Sequence, residues 1–191
     1  MTSTTPNPSR REALRQHLVA HSVKRGDFVL KSGKRSDWFV DSKITICDPT
    51  AMLLLADELL SILPSNATAI GGLTMGADPV AFITAGVAAT RNRPLKAFSV
   101  RKDVKDHGAR GRIAGLLEPG DLAVVTEDTV TRGTSLLEAA RVVRDCGATP
   151  LLLLAVVDRG GTASQIAARE GLEFQALFTA NDLGFEYELG E

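Results

Sequence analysis

Residues 122–135 read Leu-Ala-Val-Val-Thr-Glu-Asp-Thr-Val-Thr-Arg-Gly-Thr-Ser, and the segment from Leu122 to Ala148 decides the fold. The apolar run Leu122–Val125 predicts a short buried strand, closing on two adjacent carboxylates, Glu127 and Asp128. A turn of small residues comes next, and a helix is expected from Thr134 or Ser135 to about Cys146. Ser135 with Glu138 three places on makes a capping-box pattern, and Gly147 stands where a helix end favours a left-handed residue. The unit is strand, turn, helix, with its turn at the strand edge where open α/β sheets bind ligands. Backbone N–H groups and hydroxyls at a helix start can hold a phosphate dianion without a lysine. Glu127 and Asp128 can accept hydrogen bonds from the two hydroxyls of a ribose. Carboxylates beside a phosphate repel it unless they face the sugar or a cation. A phosphorylated sugar satisfies all of these parts.

Hydrophobic pair, Glu127-Asp128, small residues, Thr131, Gly133 and Thr134-Ser135 together resemble the phosphoribosyl pyrophosphate (PRPP) loop of type I phosphoribosyltransferases. An ordinary α/β turn whose acids face solvent is the alternative reading of the same residues. The resemblance implies a PRPP-binding set of Glu127, Asp128, Thr129, Val130, Thr131, Arg132, Gly133, Thr134 and Ser135. In it, Thr131 to Ser135 seat the 5′-phosphate, and Glu127 and Asp128 take the ribose hydroxyls. Arg132 stands where a small residue is commoner in the family.

The stretch 99–115, Ser-Val-Arg-Lys-Asp-Val-Lys-Asp-His-Gly-Ala-Arg-Gly-Arg-Ile-Ala-Gly, narrows the choice. Arg101, Lys102, Lys105, His107, Arg110 and Arg112 put six potential cations in one loop punctuated by glycines 108, 111 and 115. A solvated basic loop and a nucleic-acid contact are the rival readings. The second lacks aromatic residues on which bases could stack, whereas a loop closing over a pyrophosphate accounts for charge and glycines together. The stretch closely resembles the Arg-Lys-x-x-Lys-x-His-Gly loop of the orotate phosphoribosyltransferase family. That resemblance implies pyrophosphate contacts from Arg101, Lys102, Lys105 and His107, and catalytic roles for Lys105, His107 and Asp128. It also implies Mg²⁺, and a homodimer in which the Arg101–Arg112 loop completes the neighbouring site.

Two further segments fit the same family. Leu30 to Asp41 resembles its N-terminal substrate segment, which implies orotate contacts from Lys31 and Phe39, joined by Thr131 of the PRPP loop. Val156-Val157-Asp158-Arg159-Gly160-Gly161 closes a strand, and the family's orotate-contacting arginine falls at Arg159. A guanidinium fork can hold a carboxylate through two parallel hydrogen bonds, which a lysine cannot reproduce. Taken without the family, these are a basic hairpin and a strand-end ion pair. The segment Gly71 to Pro79 occupies the pyrophosphate-side loop, where many relatives carry a lysine and this chain has none.

The rest of the chain supplies a scaffold. Leu14, Leu18 and His21 lie at helical spacing, predicting a helix from Arg11 to about His21. Asp27–Leu30 and Asp37–Asp41 read as strands joined by a polar turn. Asp48-Pro49 opens a helix with Met52, Leu55, Leu59 and Ile62 on one face, and Asp78-Pro79 opens another, to about Ala89, with Asp78 as N-cap. Ala69–Gly72, Leu95–Val100, Leu151–Val157 and Glu173–Phe178 are strands, and Gln165–Arg169 is a short helix. The alternation predicts an α/β fold: a type I phosphoribosyltransferase-like core, mostly parallel, with helices on both faces. Residues 1–10 read as a tail and 11–191 as one domain. About 51–178 form its core, and about 11–50 with the C-terminal tail form a small hood.

Composition sets outer bounds. The 191 residues suit one α/β domain, with 44% hydrophobic and 24% charged residues. A net charge of −1 gives no global pull toward nucleic acid or a membrane surface. Cys47 and Cys146 show no metal-like spacing, and with no apolar span or signal sequence they point to the cytoplasm. The expected substrates are PRPP and orotate, with no nucleic acid and no membrane. A phosphoribosyltransferase for a purine or other base, and a PRPP-sensing regulator that binds nucleic acid, are the two rivals.

Overall fold

The computed structural model describes residues 8–29, 33, 35–103 and 111–188. Helix α1 (Pro8–His17) begins earlier than the expected Arg11 and continues through a π-helical turn, Leu18–Ser22. Leu14 and Leu18 are fully buried, but His21 is exposed. The wider π turn carries it off the apolar stripe. Strands β1 (Val23–Val29) and β2 (Arg35–Val40) form a separate antiparallel pair. Along β2 the alternate residues Ser36, Trp38 and Val40 are buried, the period-two pattern of a sheet covered on one face. A short helix, α2 (Ser42–Ile46), precedes α3 (Ala51–Ile62). Asp48, just ahead of α3, accepts the backbone N–H of Thr50 at 2.8 Å and of Ala51 at 3.2 Å.

Strands and helices then alternate. They run β3 (Ala69–Leu73), α4 (Ala77–Thr90), β4 (Lys96–Val100), β5 (Ile113–Gly115), β6 (Leu122–Val130), α5 (Thr134–Asp145), β7 (Thr149–Asp158), α6 (Ala163–Arg169) and β8 (Glu173–Thr179). The sheet order is β5-β4-β3-β6-β7-β8, parallel throughout except for β5 against β4. Both faces are covered, so β6 and β7 read as unbroken apolar runs. Val124, Leu152 and Leu154 pack into one core with Leu14 and Leu18 of α1, Leu55 and Leu59 of α3 and Val80 of α4. Val125, Leu153 and Ala155 point the other way, into a core with Leu136 and Val143 of α5 and Ala167 of α6. Chain order reverses direction between β3 and β6, leaving a crevice at their carboxyl ends.

Three local expectations are corrected. Strand β6 runs on past Glu127 and Asp128 to Val130, so Thr129 and Val130 belong to the strand and not to the turn. Parallel pairing with β7 continues to Val130–Asp158 and carries the strand past its apolar run. Ser135 and Glu138 form no capping box: Gly133, at φ 76°, holds the cap position with no capping side chain, and Glu138 is ion-paired with Arg112. Asp78 is within the first turn of α4, where it accepts hydrogen bonds from Thr74 Oγ1 and Ser99 Oγ, both at 2.7 Å. The edge strand β5 and helix α2 were not foreseen, each being too short to show a period. Gly147, at φ 77°, follows α5 in the left-handed conformation expected of it.

After β8 a 3₁₀ turn, Asn181–Leu183, sends the chain back over the β1–β2 pair. Phe185 stacks on Trp38 with ring centroids 4.3 Å apart, and the Arg25 guanidinium lies 4.4 Å from the Phe185 centroid. Among the described residues no helix is long and apolar enough to cross a membrane.

Candidate active site

Strand β6 delivers Glu127 and Asp128 side by side, each 7% exposed, at the switch-point crevice. Helix α2 meets them there. Lys43 Nζ is ion-paired with Asp128 Oδ2, which also accepts Ser42 Oγ–H at 2.9 Å. Ser42 Oγ lies 2.9 Å from Thr129 Oγ1 as well. Burial pushes the Glu127 carboxyl up to about 8, with the negative charge of Asp128 adding to the effect. Burial acts on Asp128 in the same sense, but the hydrogen bond and charge of Lys43, helped by Ser42, outweigh it and hold Asp128 below its ordinary value. At neutral pH the pair therefore carries one proton, on Glu127. Glu127 can donate to a hydroxyl while Asp128 accepts from one.

The β3–α4 loop closes against this pair. Its Thr74–Met75 peptide is cis, and a Cβ added to Gly76 would overlap Glu127 Oε1 and come within 2.6 Å of Asp128 Oδ1. Glycine lets the loop lie this close to the two carboxylates as they are placed, and 71–79 holds no charged side chain except Asp78.

Between β6 and α5 the loop Thr131–Gly133 is fixed from below. Thr162 Oγ1 donates to the Thr131 carbonyl at 3.1 Å, and a Cβ on Gly160 would run into that same carbonyl. The loop thus rests on the β7–α6 turn, while α5 opens on Gly133, which has no side chain to cap the first N–H groups. Thr134 is exposed and Ser135 half-buried beside them. Uncapped N–H groups and two hydroxyls at a helix start suit a phosphate dianion.

One strand over, Arg159 lies directly after β7, and its backbone N–H donates to the Val130 carbonyl at 2.8 Å. The side chain is 5% exposed. Nη2 donates to the Trp38 carbonyl at 2.8 Å, to Ser36 Oγ at 3.1 Å and to Glu188 Oε1 at 2.6 Å. Its guanidinium carbon lies 5.0 Å from the Trp38 ring centroid and 5.8 Å from that of Phe39. Among the described residues, Arg159 Nε and Glu188 Oε2 are buried without hydrogen-bond partners. The carboxylate therefore docks by one oxygen and not by the two-point fork. Asp158 accepts the N–H of Gly160 and Gly161 at 3.1 and 3.0 Å, which shapes the turn beneath Arg159, and burial pushes its own carboxyl up.

Of the sequence-predicted residues, the structure gathers Glu127, Asp128, Thr129, Val130, Thr131, Arg132, Gly133, Thr134 and Ser135 along β6 and the start of α5, with Arg159 and Phe39 beside them. Arg132 is exposed. Arg101 and Arg112 tie the two legs of the basic loop: Arg101 N donates to Arg112 O at 2.8 Å, and Arg112 Nε to Arg101 O at 2.7 Å. Lys102 is exposed at the loop's start. Lys31, Lys105 and His107 lie outside the described residues. Sequence reasoning missed Ser42, Lys43 and Glu188. The segment Asp41-Ser42-Lys43 carries no motif, and its role is legible only once α2 is seen against β6. Among the described residues no three His, Cys, Asp or Glu side chains are grouped to hold a metal ion. Asp128 is already engaged by Lys43 and Ser42, so the donors fit a cation carried mainly by substrate oxygens and water.

No family model matches the chain. Among curated proteins it is similar to the orotate phosphoribosyltransferase of Synechocystis sp., 36% identical over 181 residues that cover 94% of this chain and 91% of the relative. Among solved structures it is similar to Mycobacterium tuberculosis orotate phosphoribosyltransferase in complex with Fe(III) dicitrate. There the TM-score is 0.80 at 35% identity, covering 93% of this chain and 100% of the other. The same Mycobacterium protein in complex with PRPP gives a TM-score of 0.75 at 32% identity, with 93% and 100% covered. The parallel core with its acid pair and the sequence likeness along nearly the whole length agree: this chain belongs to the orotate phosphoribosyltransferase family.

Proposed function

We infer that the protein transfers ribose 5-phosphate from PRPP to N1 of orotate, yielding orotidine 5′-monophosphate and pyrophosphate in pyrimidine nucleotide biosynthesis. One observation carries this reading. A single sheet edge holds a buried acid pair beside an uncapped helix start and, one strand over, a buried arginine with a carboxylate already docked on it. The uncapped start of α5, with Thr131 to Ser135, seats the 5′-phosphate. Glu127 and Asp128, with Thr129 and Val130 behind them, hold the ribose hydroxyls. Arg159 takes the orotate carboxylate in place of Glu188, with Lys31, Phe39 and Thr131 completing the base site. As the C1–O bond breaks, its electron pair goes to pyrophosphate, while N1 bonds to C1 and gives up its proton to water. Arg101, Lys102, Lys105 and His107 neutralise the charge gathering on the leaving group. Mg²⁺, held by diphosphate oxygens and water, supplies further neutralisation when bound.

The working unit is a homodimer in which the Arg101–Arg112 loop completes the neighbouring site. Helices α2, α3 and α4 pack on one another and expose Ile44, Leu53 and Phe82, which supports a covered face there. Residues 11–191 act as one catalytic domain with 11–50 and the C-terminal tail as its hood. Two free cysteines support a reducing, cytoplasmic setting. The test is turnover. Protein, PRPP and Mg²⁺ are mixed with orotate, uracil or hypoxanthine, and base consumption and pyrophosphate release are followed. Orotate is consumed and the others are not. Consumption of hypoxanthine but not orotate would remove the assignment.

A further inference from the structure

The β3–α4 loop lies against the acid pair through Gly76, yet across 71–79 its one charged side chain is the acid Asp78, already held by Thr74 and Ser99. With PRPP as the substrate proposed above, a ribose held by Glu127 and Asp128 puts its diphosphate along this loop. A diphosphate there needs a cation close to C1. Helix α2 brings one. Lys43 Nζ is ion-paired with Asp128, the acid whose Oδ1 borders Gly76, while its side chain remains 42% exposed.

The root of Lys43 is well anchored. Ser42 bonds to Asp128 and Thr129 on one side of it. On the other, Thr45 Oγ1 is 2.6 Å from Ser22 Oγ and 3.1 Å from His17 Nδ1. The backbone is thus fixed while the four-carbon stem can swing. An ammonium has three donors and Asp128 needs one, so the same group can face an acid and a phosphate together. We propose that Lys43 supplies the cation this loop lacks, its ammonium binding the diphosphate of PRPP and the pyrophosphate that departs. Asp128 keeps one N–H of Lys43 and so holds the ammonium beside the loop, leaving its other donors for the diphosphate.

The probes are inorganic pyrophosphate and ribose 5-phosphate, each with Mg²⁺, against wild type, Lys43→Met and Lys43→Arg. Pyrophosphate inhibition is measured against PRPP, and ribose 5-phosphate binding by calorimetry, with melting temperature as the fold control. Loss of one charged hydrogen bond predicts that Lys43→Met weakens pyrophosphate by about tenfold or more. Ribose 5-phosphate changes far less, and Lys43→Arg keeps most of the pyrophosphate affinity. Should Lys43→Met fail to fold, Lys43→Gln keeps a donor for Asp128 without the charge and carries the same expectation. Unchanged pyrophosphate affinity in a folded, uncharged variant overturns the proposal. Equal losses for both probes also overturn it, because Lys43 would then act through Asp128 alone. Either of these results in the variants, with wild-type protein that still turns over PRPP, leaves the transferase reading intact. Wild-type protein that binds neither probe overturns both.

Discussion

Glu127 and Asp128 adjoin in sequence but shift in opposite directions, because Lys43 is bonded to Asp128 while burial and the Asp128 charge prevail at Glu127. Burial raises Glu127 to about 8 from an ordinary 4.5. A carboxyl raised on folding binds its proton more tightly in the native state. The stability it contributes is complete below about 4.5 and is lost as pH climbs through 8. Melting temperature should therefore fall between those limits in wild type and fall less steeply in Glu127→Gln, as thermal denaturation across pH would record. Equal slopes would place the proton elsewhere. Above pH 8 the pair also carries two negative charges toward a phosphate-rich substrate. The kcat/KM for PRPP should hold steady below that and drop as pH rises through about 8.

At the scale of elements, the C-terminal segment is the least foreseen part of the site. Phe185 on Trp38, Tyr187 against Gly161 and the Glu188 N–H on the Arg159 carbonyl at 3.0 Å strap it across β2 and the β7–α6 turn. Glu188→Gln leaves Arg159 buried without its counter-charge, and breaking a buried pair in this way costs roughly 3 kcal/mol. The melting temperature should fall, and saturating orotate should then raise it by more than in wild type, since a new carboxylate restores the pair. An equal rise in both proteins would show that orotate does not use this seat. Glu188 was illegible in sequence because it lies 29 residues from Arg159 and no local pattern joins them. The core was legible: β7 and α5 show in their unbroken apolar run and in Gly147. Helix α2 and strand β5 were not, since their form comes from docking on β6 and β4. Glu138 misled because Arg112, distant in sequence, captured the side chain that a local cap would use.

At the scale of the whole molecule, a loop shared between subunits can be tested by mixing. In the homodimer proposed above, Lys105→Ala and Asp128→Asn should each impair every site of their own homodimers. If the loop serves the neighbour, random exchange makes about half the dimers mixed and restores about a quarter of all sites. A loop acting within its own subunit restores none, and full exchange verified by mass without recovered activity would exclude sharing. The central claim is that one sheet edge has two ends serving two substrates. It is tested most directly by the kcat/KM of Asp128→Asn and Arg159→Lys for each substrate at saturation of the other. Losing a charged hydrogen bond is worth roughly 1.5–3 kcal/mol, so each variant should lose at least about tenfold for its own substrate. Asp128→Asn should lose it for PRPP and Arg159→Lys for orotate, with little crossover. An Arg159→Lys enzyme that handles orotate as wild type does would contradict the account.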